Sequence, residues 1–230
     1  MHPPTSVVLL SGGIDSTTAL AVATATTTPV LALSVDYGQR HRREVDAAAR
    51  VASHYRVPHT VLDLTGWGGL LTGSALTDTT VAVPDGGDMG PGASDTVVPN
   101  RNAVLLMSAV GIAQSRGASE VWVAVHAGDH TVYPDCRPEF IEAADRTARV
   151  ATEGRVRIVA PFVRSTKADI VRVAGQVGAP LHLSWSCYEG GGTHCGRCGA
   201  CRGRRAGFQE AGVVDPTVYL SDGLDTVCSI

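Results

Sequence analysis

Four cysteines crowd into one short stretch, Cys187, Cys195, Cys198 and Cys201, with the spacing Cys-x7-Cys-x2-Cys-x2-Cys. Cys-x2-Cys steps separated by glycines are the usual way to set thiolates around a tetrahedral metal. Four sulfurs saturate a zinc ion and leave no position for water, so the predicted role is structural, with one Zn²⁺ per chain. Strained disulfides and an iron–sulfur cluster compete for the same spacing. Cys136 and Cys228 have no partner at metal-ligand spacing.

A second constellation sits near the other end. Ser11-Gly12-Gly13-Ile14-Asp15-Ser16 closes the apolar run Ser6–Leu10. Its glycines permit positive φ and let backbone N–H groups approach an anion, and the helix that follows adds orphan donors and a positive dipole end. Ser11, Ser16 and Thr17 can donate hydroxyls to phosphate oxygens. No Gly-Lys-Ser/Thr follows, which excludes the Walker loop of kinases and GTPases. Lys167 is the only lysine among 19 cationic side chains. It stands at a strand-to-helix junction, where a compact ammonium can neutralise a polyphosphate; a solvated first-turn lysine is the plainer reading. Arg197, Arg202, Arg204 and Arg205 make the cysteine segment basic, and such a run reads as a solvated face before an RNA or phosphate contact.

These residues need a frame. Strands are predicted at Ser6–Leu10, Val30–Val35, Thr60–Leu64, Glu120–Val125 and Arg157–Ala160. Helical patterns run from Asp15 to Ala25, Arg40 to Tyr55, through Ala103, Leu106, Met107, Val110 and Ala113, and after Pro138 through Phe140, Ile141, Ala144 and Ala148. Thr166 and Asp169 form a capping box for a helix burying Ile170, Val173, Ala174 and Val177, and a last helix covers Arg202–Ala211. Strands alternating with helices predict an α/β fold with a doubly wound, mostly parallel five-stranded sheet. The predicted division is 1–183 for this domain and 184–230 for a C-terminal zinc-binding element packed on it. Residues 65–98, rich in glycine, read as a flexible insertion, either a lid or a disordered stretch.

The bulk composition narrows the class. A net charge of -3 gives no preference for nucleic acid or membrane, and 44% hydrophobic residues suffice for a sizeable core. The runs Val7–Leu10 and Val121–Val125 are too short to span a bilayer, and Met1–Leu10 lacks the features of a secretory signal. The expected location is the cytoplasm.

The Ser11–Ser16 segment matches the SGGxDS signature of PP-loop enzymes. Asp36-Tyr37-Gly38-Gln39-Arg40-His41, Pro99-Asn100-Arg101-Asn102 and Tyr133-Pro134-Asp135-Cys136-Arg137-Pro138-Glu139-Phe140 follow in order. With the four cysteines, these make the chain resemble the 7-cyano-7-deazaguanine synthase family of PP-loop ATP pyrophosphatases, from Val7 to about Val218. That resemblance implies an ATP-dependent, AMP-forming carbon–nitrogen ligase. Its substrates would be 7-carboxy-7-deazaguanine, ammonia and ATP with Mg²⁺, acting through an acyl-adenylate and an amide, in a chain that forms a homodimer.

Carried over by position, Leu10, Ser11, Gly12, Gly13, Ile14, Asp15, Ser16, Thr17, Thr18 and Asp36 would bind ATP. Asp15, Ser16 and Lys167 would be catalytic. Arg101, Asn102, Asp129, Tyr133, Asp135 and Arg137 would approach the deazapurine and its carboxylate. Asp suits a guanine-like edge, Arg pairs a carboxylate, and Tyr offers a stacking face; Asp135 equally suits an N-cap of the following helix. The family usually reads Asp-Tyr-Ser-Gly-Tyr-Pro-Asp-Cys-Arg where this chain has Asp129-His130-Thr131-Val132-Tyr133-Pro134-Asp135-Cys136-Arg137. An enzyme that stops at the amide, or joins the activated acid to another amine, is therefore the alternative; a tRNA sulfur transferase and a nucleotide-sensing zinc module are weaker ones.

Overall fold

A computed structural model describes residues 5–27, 29–40, 42–84, 93–189 and 191–220. His41, Cys228, and Gly86, Gly87, Gly90, Pro91 and Gly92 of the expected insertion lie outside them.

The five expected strands form one sheet: β1 (Ser6–Leu9), β2 (Val30–Asp36), β3 (His59–Asp63), β4 (Glu120–Trp122) and β5 (Arg157–Val159). Their order is β3-β2-β1-β4-β5, and all four pairings are parallel. The helices are α1 (Ile14–Thr26), α2 (Arg43–His54), α3 (Thr65–Gly68), α4 (Arg101–Ser115), α5 (Pro138–Ala151), α6 (Lys167–Gln176) and α7 (Gly199–Ala211).

Successive strand residues point to opposite faces, and both faces are covered, which is why the strands are apolar without interruption. Val7, Leu31, Leu33 and Val121 pack against Leu106 and Val110 of α4 and Ile141 and Ala148 of α5. Val8, Ala32 and Trp122 pack on the other face against Leu20 of α1 and Ala48 and Val51 of α2. The chain leaves β1 toward β2 on one side and returns to β4 on the other. That switch of direction opens a crevice beyond the carboxyl ends of the three central strands, where open α/β sheets bind ligands.

Several boundaries differ from the sequence pattern for local reasons. β4 stops at Trp122, and Val123, Ala124 and Val125 line the crevice instead. α2 begins at Arg43 because Arg40 is spent elsewhere: its guanidinium donates to the carbonyls of Asp78 and Val81, each at 2.9 Å. Those bonds anchor the first part of the 65–98 segment, in which Ser74, Ala75 and Leu76 are buried; at its end Thr96 and Val98 are buried too. The Thr166–Asp169 capping box forms as expected, with Thr166 accepting from the Asp169 N–H and Asp169 from the Thr166 N–H.

The arginine run is corrected by the structure. Arg197 and Arg202 are exposed, but Arg204 is 1% exposed. It follows Cys201 by three residues and precedes Phe208 by four, so all three share the buried stripe of α7. Its Nε donates to Asp215 Oδ1 at 3.0 Å, Nη1 to Ser184 Oγ at 2.8 Å and Nη2 to the Leu181 carbonyl at 3.2 Å. The Arg205 guanidinium lies 3.9 Å from the centre of the Tyr219 ring. No helix among the described residues is long and apolar enough to cross a membrane.

Burial pushes the Asp215 carboxyl up, but the Tyr219 hydroxyl and the Arg204 guanidinium outweigh it and hold it below the usual aspartate range. A depressed carboxylate contributes stability above its unfolded pKa of about 3.9, and that contribution disappears as pH falls through the folded value. Asp215→Ala leaves a buried guanidinium short of its counter-charge. Denaturant unfolding at pH 7 is expected to show a loss of about 3–5 kcal/mol, shrinking as the pH is lowered into the acid range. A loss that stays constant with pH would show that the charge is not responsible.

Candidate active site and metal centre

The phosphate loop is built around Gly12, whose φ is +90°. A Cβ there would overlap the Glu44 carbonyl oxygen and stand 2.7 Å from the Ala48 nitrogen, so α2 packs directly on the loop backbone. From the opposite direction the Trp185 N–H donates to the Gly12 carbonyl at 2.8 Å. Within the loop, Ser16 Oγ accepts from the Gly12 N–H at 3.1 Å and lies 2.9 Å from Ser11 Oγ. Gly13 is the N-cap of α1 and carries no side chain to satisfy the first-turn N–H groups, which are therefore left for an anion.

Charge gathers beside this loop. Lys167, at the first position of α6, donates from Nζ to Asp15 Oδ2 at 2.6 Å. Burial pushes Asp15 up, yet the Lys167 ammonium and the neighbouring His126 prevail and hold it below the ordinary carboxylate range. Asp15 Oδ1 is buried with no hydrogen-bond partner. His126 was missed by sequence reasoning. Its Nδ1 accepts from the Gly128 N–H at 3.0 Å, and Nε2 faces Asp129 Oδ1 at 3.3 Å and Asp15 Oδ2 at 3.8 Å. It thus bridges a phosphate-loop carboxylate and one assigned to the base. Gly128 has to be glycine for this, since a Cβ would stand 2.8 Å from His126 Cε1.

The other wall comes from α4 and the segment before α5. Arg101 Nη1 donates to the Tyr37 hydroxyl at 3.3 Å, and burial pushes the Tyr37 phenol up. Tyr133 is 7% exposed, with its hydroxyl 2.6 Å from Thr96 Oγ1, so the end of the 65–98 segment orients the ring. Burial, with Asp129 and Asp135 nearby, pushes the Cys136 thiol well above its ordinary range. It stays protonated and is no nucleophile.

A cavity of about 270 Å³ joins these walls. Leu10, Ser11, Gly13, Ile14, Asp15, Ser16, Lys167, Arg101, Asn102, Asp129 and Tyr133 all line it. Others stand behind its surface. Thr18 donates to the Ile14 carbonyl, and Asp36 pairs with Arg42 at 2.7 Å and accepts from the Gly38 N–H. Thr17 is buried in α1 and Gly12 lies behind the loop. Asp135 does not cap α5: its Oδ2 accepts from the Asn102 N–H at 2.8 Å, so it caps α4 instead. Arg137 is exposed and donates to the His130 carbonyl. Lining residues that the pattern did not assign to the site include Tyr37 and Gln39, which lay inside a quoted motif, Arg204, read as part of a solvated basic run, and Trp185 and Tyr188, which carried no signal.

The sulfurs of Cys187, Cys195, Cys198 and Cys201 all lie within 4.8 Å of one another. Cys195 and Cys201 are 3.9 Å apart, against an edge of about 3.8 Å for a tetrahedron with Zn–S near 2.3 Å. Backbone N–H groups of Cys195, and of Arg197 and Cys198, point at Cys187 Sγ and Cys195 Sγ respectively, the second-shell pattern that supports thiolate ligands. All five described cysteines are free, so the four-sulfur set fits a metal.

The family described as "Queuosine biosynthesis protein QueC" matches residues 5–212. A 7-cyano-7-deazaguanine synthase from Rhizobium johnstonii is 51% identical over 216 residues, covering 93% of this chain and 91% of the relative. That of Paracoccus denitrificans is 47% identical, covering 93% and 92%. Among solved structures, an NMN synthetase from Francisella tularensis is similar over 99% of this chain and 80% of its own, with 17% identity and a TM-score of 0.48. A single family thus spans the phosphate loop, the α4 wall and the cysteine cluster, and the chain belongs to the QueC family of queuosine biosynthesis proteins.

Proposed function

We propose that the chain converts 7-carboxy-7-deazaguanine and ammonia to 7-cyano-7-deazaguanine, consuming two ATP. The observation that carries this reading is the shared cavity. The phosphate loop with Lys167 forms one wall and Arg101, Asp129 and Tyr133 the other, so a carboxylate and an α-phosphate would share one cavity. The relatives' activity supports the same reaction.

A carboxylate is a poor electrophile because its oxygen leaves badly. In the first step its oxygen bonds to the α-phosphorus and the bond to the β-phosphate oxygen breaks, giving an acyl-adenylate and pyrophosphate. Ammonia then adds to the acyl carbon, AMP leaves, and one proton is released with the amide. In the second step the amide oxygen bonds to the α-phosphorus of another ATP, the bond to the β-phosphate oxygen breaks, and pyrophosphate and one N–H proton leave, giving an O-adenylated imidate. Loss of the last N–H proton and departure of AMP make the nitrile. The chain's part is mainly positioning and charge stabilisation. First-turn N–H groups of α1 hold the departing pyrophosphate, Lys167 neutralises it, and Arg101 orients the substrate carboxylate. Asp15, with its buried unpartnered Oδ1, suits Mg²⁺, which supplies further neutralisation of the triphosphate when bound.

His130 and Val132, where the motif departs from the family's usual wording, are not among the residues lining the cavity. Val132 instead packs against the hydrophobic core. That placement favours the nitrile over an amide end product. Mass spectrometry of a reaction containing the carboxylate, ATP and ammonium is expected to show the nitrile accumulating; an amide that persists with ATP in excess would refute the second step. Asp15→Asn and Ser16→Ala are expected to slow pyrophosphate release by about 100-fold or more. Turnover near that of the unsubstituted protein would remove the loop from the mechanism.

We assign the four-cysteine cluster to structural zinc. Elemental analysis should find one zinc per chain, and Cys198→Ala should lose the metal and lower Tm, because metal binding there is folding free energy. Iron in place of zinc would contradict this assignment.

A further inference from the structure

Lys167 reaches Asp15 from a four-carbon stem, and such a stem ordinarily samples many rotamers. Two features restrict it. The capping box fixes the backbone where Lys167 begins α6. The second lies on α7. Gly207, in the interior of that helix, presents no side chain to the lysine stem. A Cβ there would stand well inside 3.0 Å of Lys167 Cγ and 3.1 Å from Lys167 Cβ. Glycine inside a helix is destabilising relative to alanine, so its place here calls for a reason in the packing.

We propose that Gly207 is a positioning residue for Lys167: its bare backbone is the surface against which the lysine stem is laid so that Nζ meets Asp15 and the polyphosphate. The inference rests on the reading of Lys167 as a polyphosphate contact. Gly207 is absent from the cavity lining, but Ala200, Gly203 and Arg204 of the same helix belong to it, so an effect on ATP passes either through the lysine or through a shift of α7. α7 itself is held on three sides. Cys198 and Cys201 tie its start into the sulfur cluster, and Arg204 is bonded to Asp215 and Ser184. Phe208 sits in a core with Ile14, Ile170 and Val171. With the helix so anchored, an added methyl at position 207 is relieved by moving the lysine rather than by moving α7.

A double-mutant cycle tests this with Gly207→Ala, Lys167→Ala and the pair, measuring KM and kcat for ATP, KM for the deazapurine carboxylate, Tm and metal content. Gly207→Ala is expected to lower kcat/KM for ATP by about 10- to 100-fold, while KM for the carboxylate and the metal content hold. Lys167→Ala removes the atom the new methyl would strike. The double variant should therefore show the ATP constants of Lys167→Ala alone and a Tm above that of Gly207→Ala. Losses that multiply in the double variant would overturn the inference. So would unchanged ATP constants in Gly207→Ala, or a double variant as unstable as Gly207→Ala. If Lys167→Ala alone leaves the ATP constants intact, the reading of Lys167 fails, and the inference with it. A harmful Lys167→Ala beside a harmless Gly207→Ala removes the inference only.

Discussion

The backbone at Gly12 has room for a hydrogen atom and nothing larger. α2 presses on it through the Glu44 carbonyl and the Ala48 nitrogen, and the Trp185 N–H grips its carbonyl from the C-terminal side. A residue with a side chain would have to adopt positive φ and displace a helix at once. The rest of the site follows from this contact. A loop clamped between two elements holds its N–H groups in fixed directions, and a preorganised cradle binds an anion without first having to be ordered.

That clamp gives the C-terminal element a role in the site. Trp185 bonds to the loop, and Trp185, Ser186 and Tyr188 line the cavity. α7 lies on α6 and fixes the helix that starts with Lys167. The four-cysteine cluster stands at the head of α7, and none of its cysteines lines the cavity. A basic segment that looks solvated in the sequence thus contains one of the most deeply buried side chains of the molecule, Arg204.

Much of the frame was legible in the sequence because its signals are local. The five strands, their parallel sense, the capping box at Thr166 and the cysteine spacing each depend on residues a few positions apart. What escaped depends on contacts between distant segments. Asp135 had the look of an N-cap for the helix beside it, but its carboxylate caps α4, 33 residues earlier in the chain. His126 sits in an apolar stretch, and nothing there announces that its ring bridges Asp15 and Asp129. Arg204 became visible only once Cys201 and Phe208 were placed on the same helical stripe. Within the 65–98 segment, read from its glycines as loose, the Asp78 and Val81 carbonyls accept from Arg40 and Thr96 meets Tyr133. Glycine content reports backbone freedom; it does not report which side chains elsewhere will bind the loop.

Every role proposed for the site requires the Gly12–Ser16 cradle to hold the polyphosphate of ATP. A crystal structure with a non-hydrolysable ATP analogue tests it most directly. The β- and γ-phosphates are expected against the Gly13 to Ser16 backbone, with Lys167 Nζ in contact and the α-phosphate turned toward Arg101 and Asp129. A triphosphate bound anywhere else, with the loop empty, would contradict it.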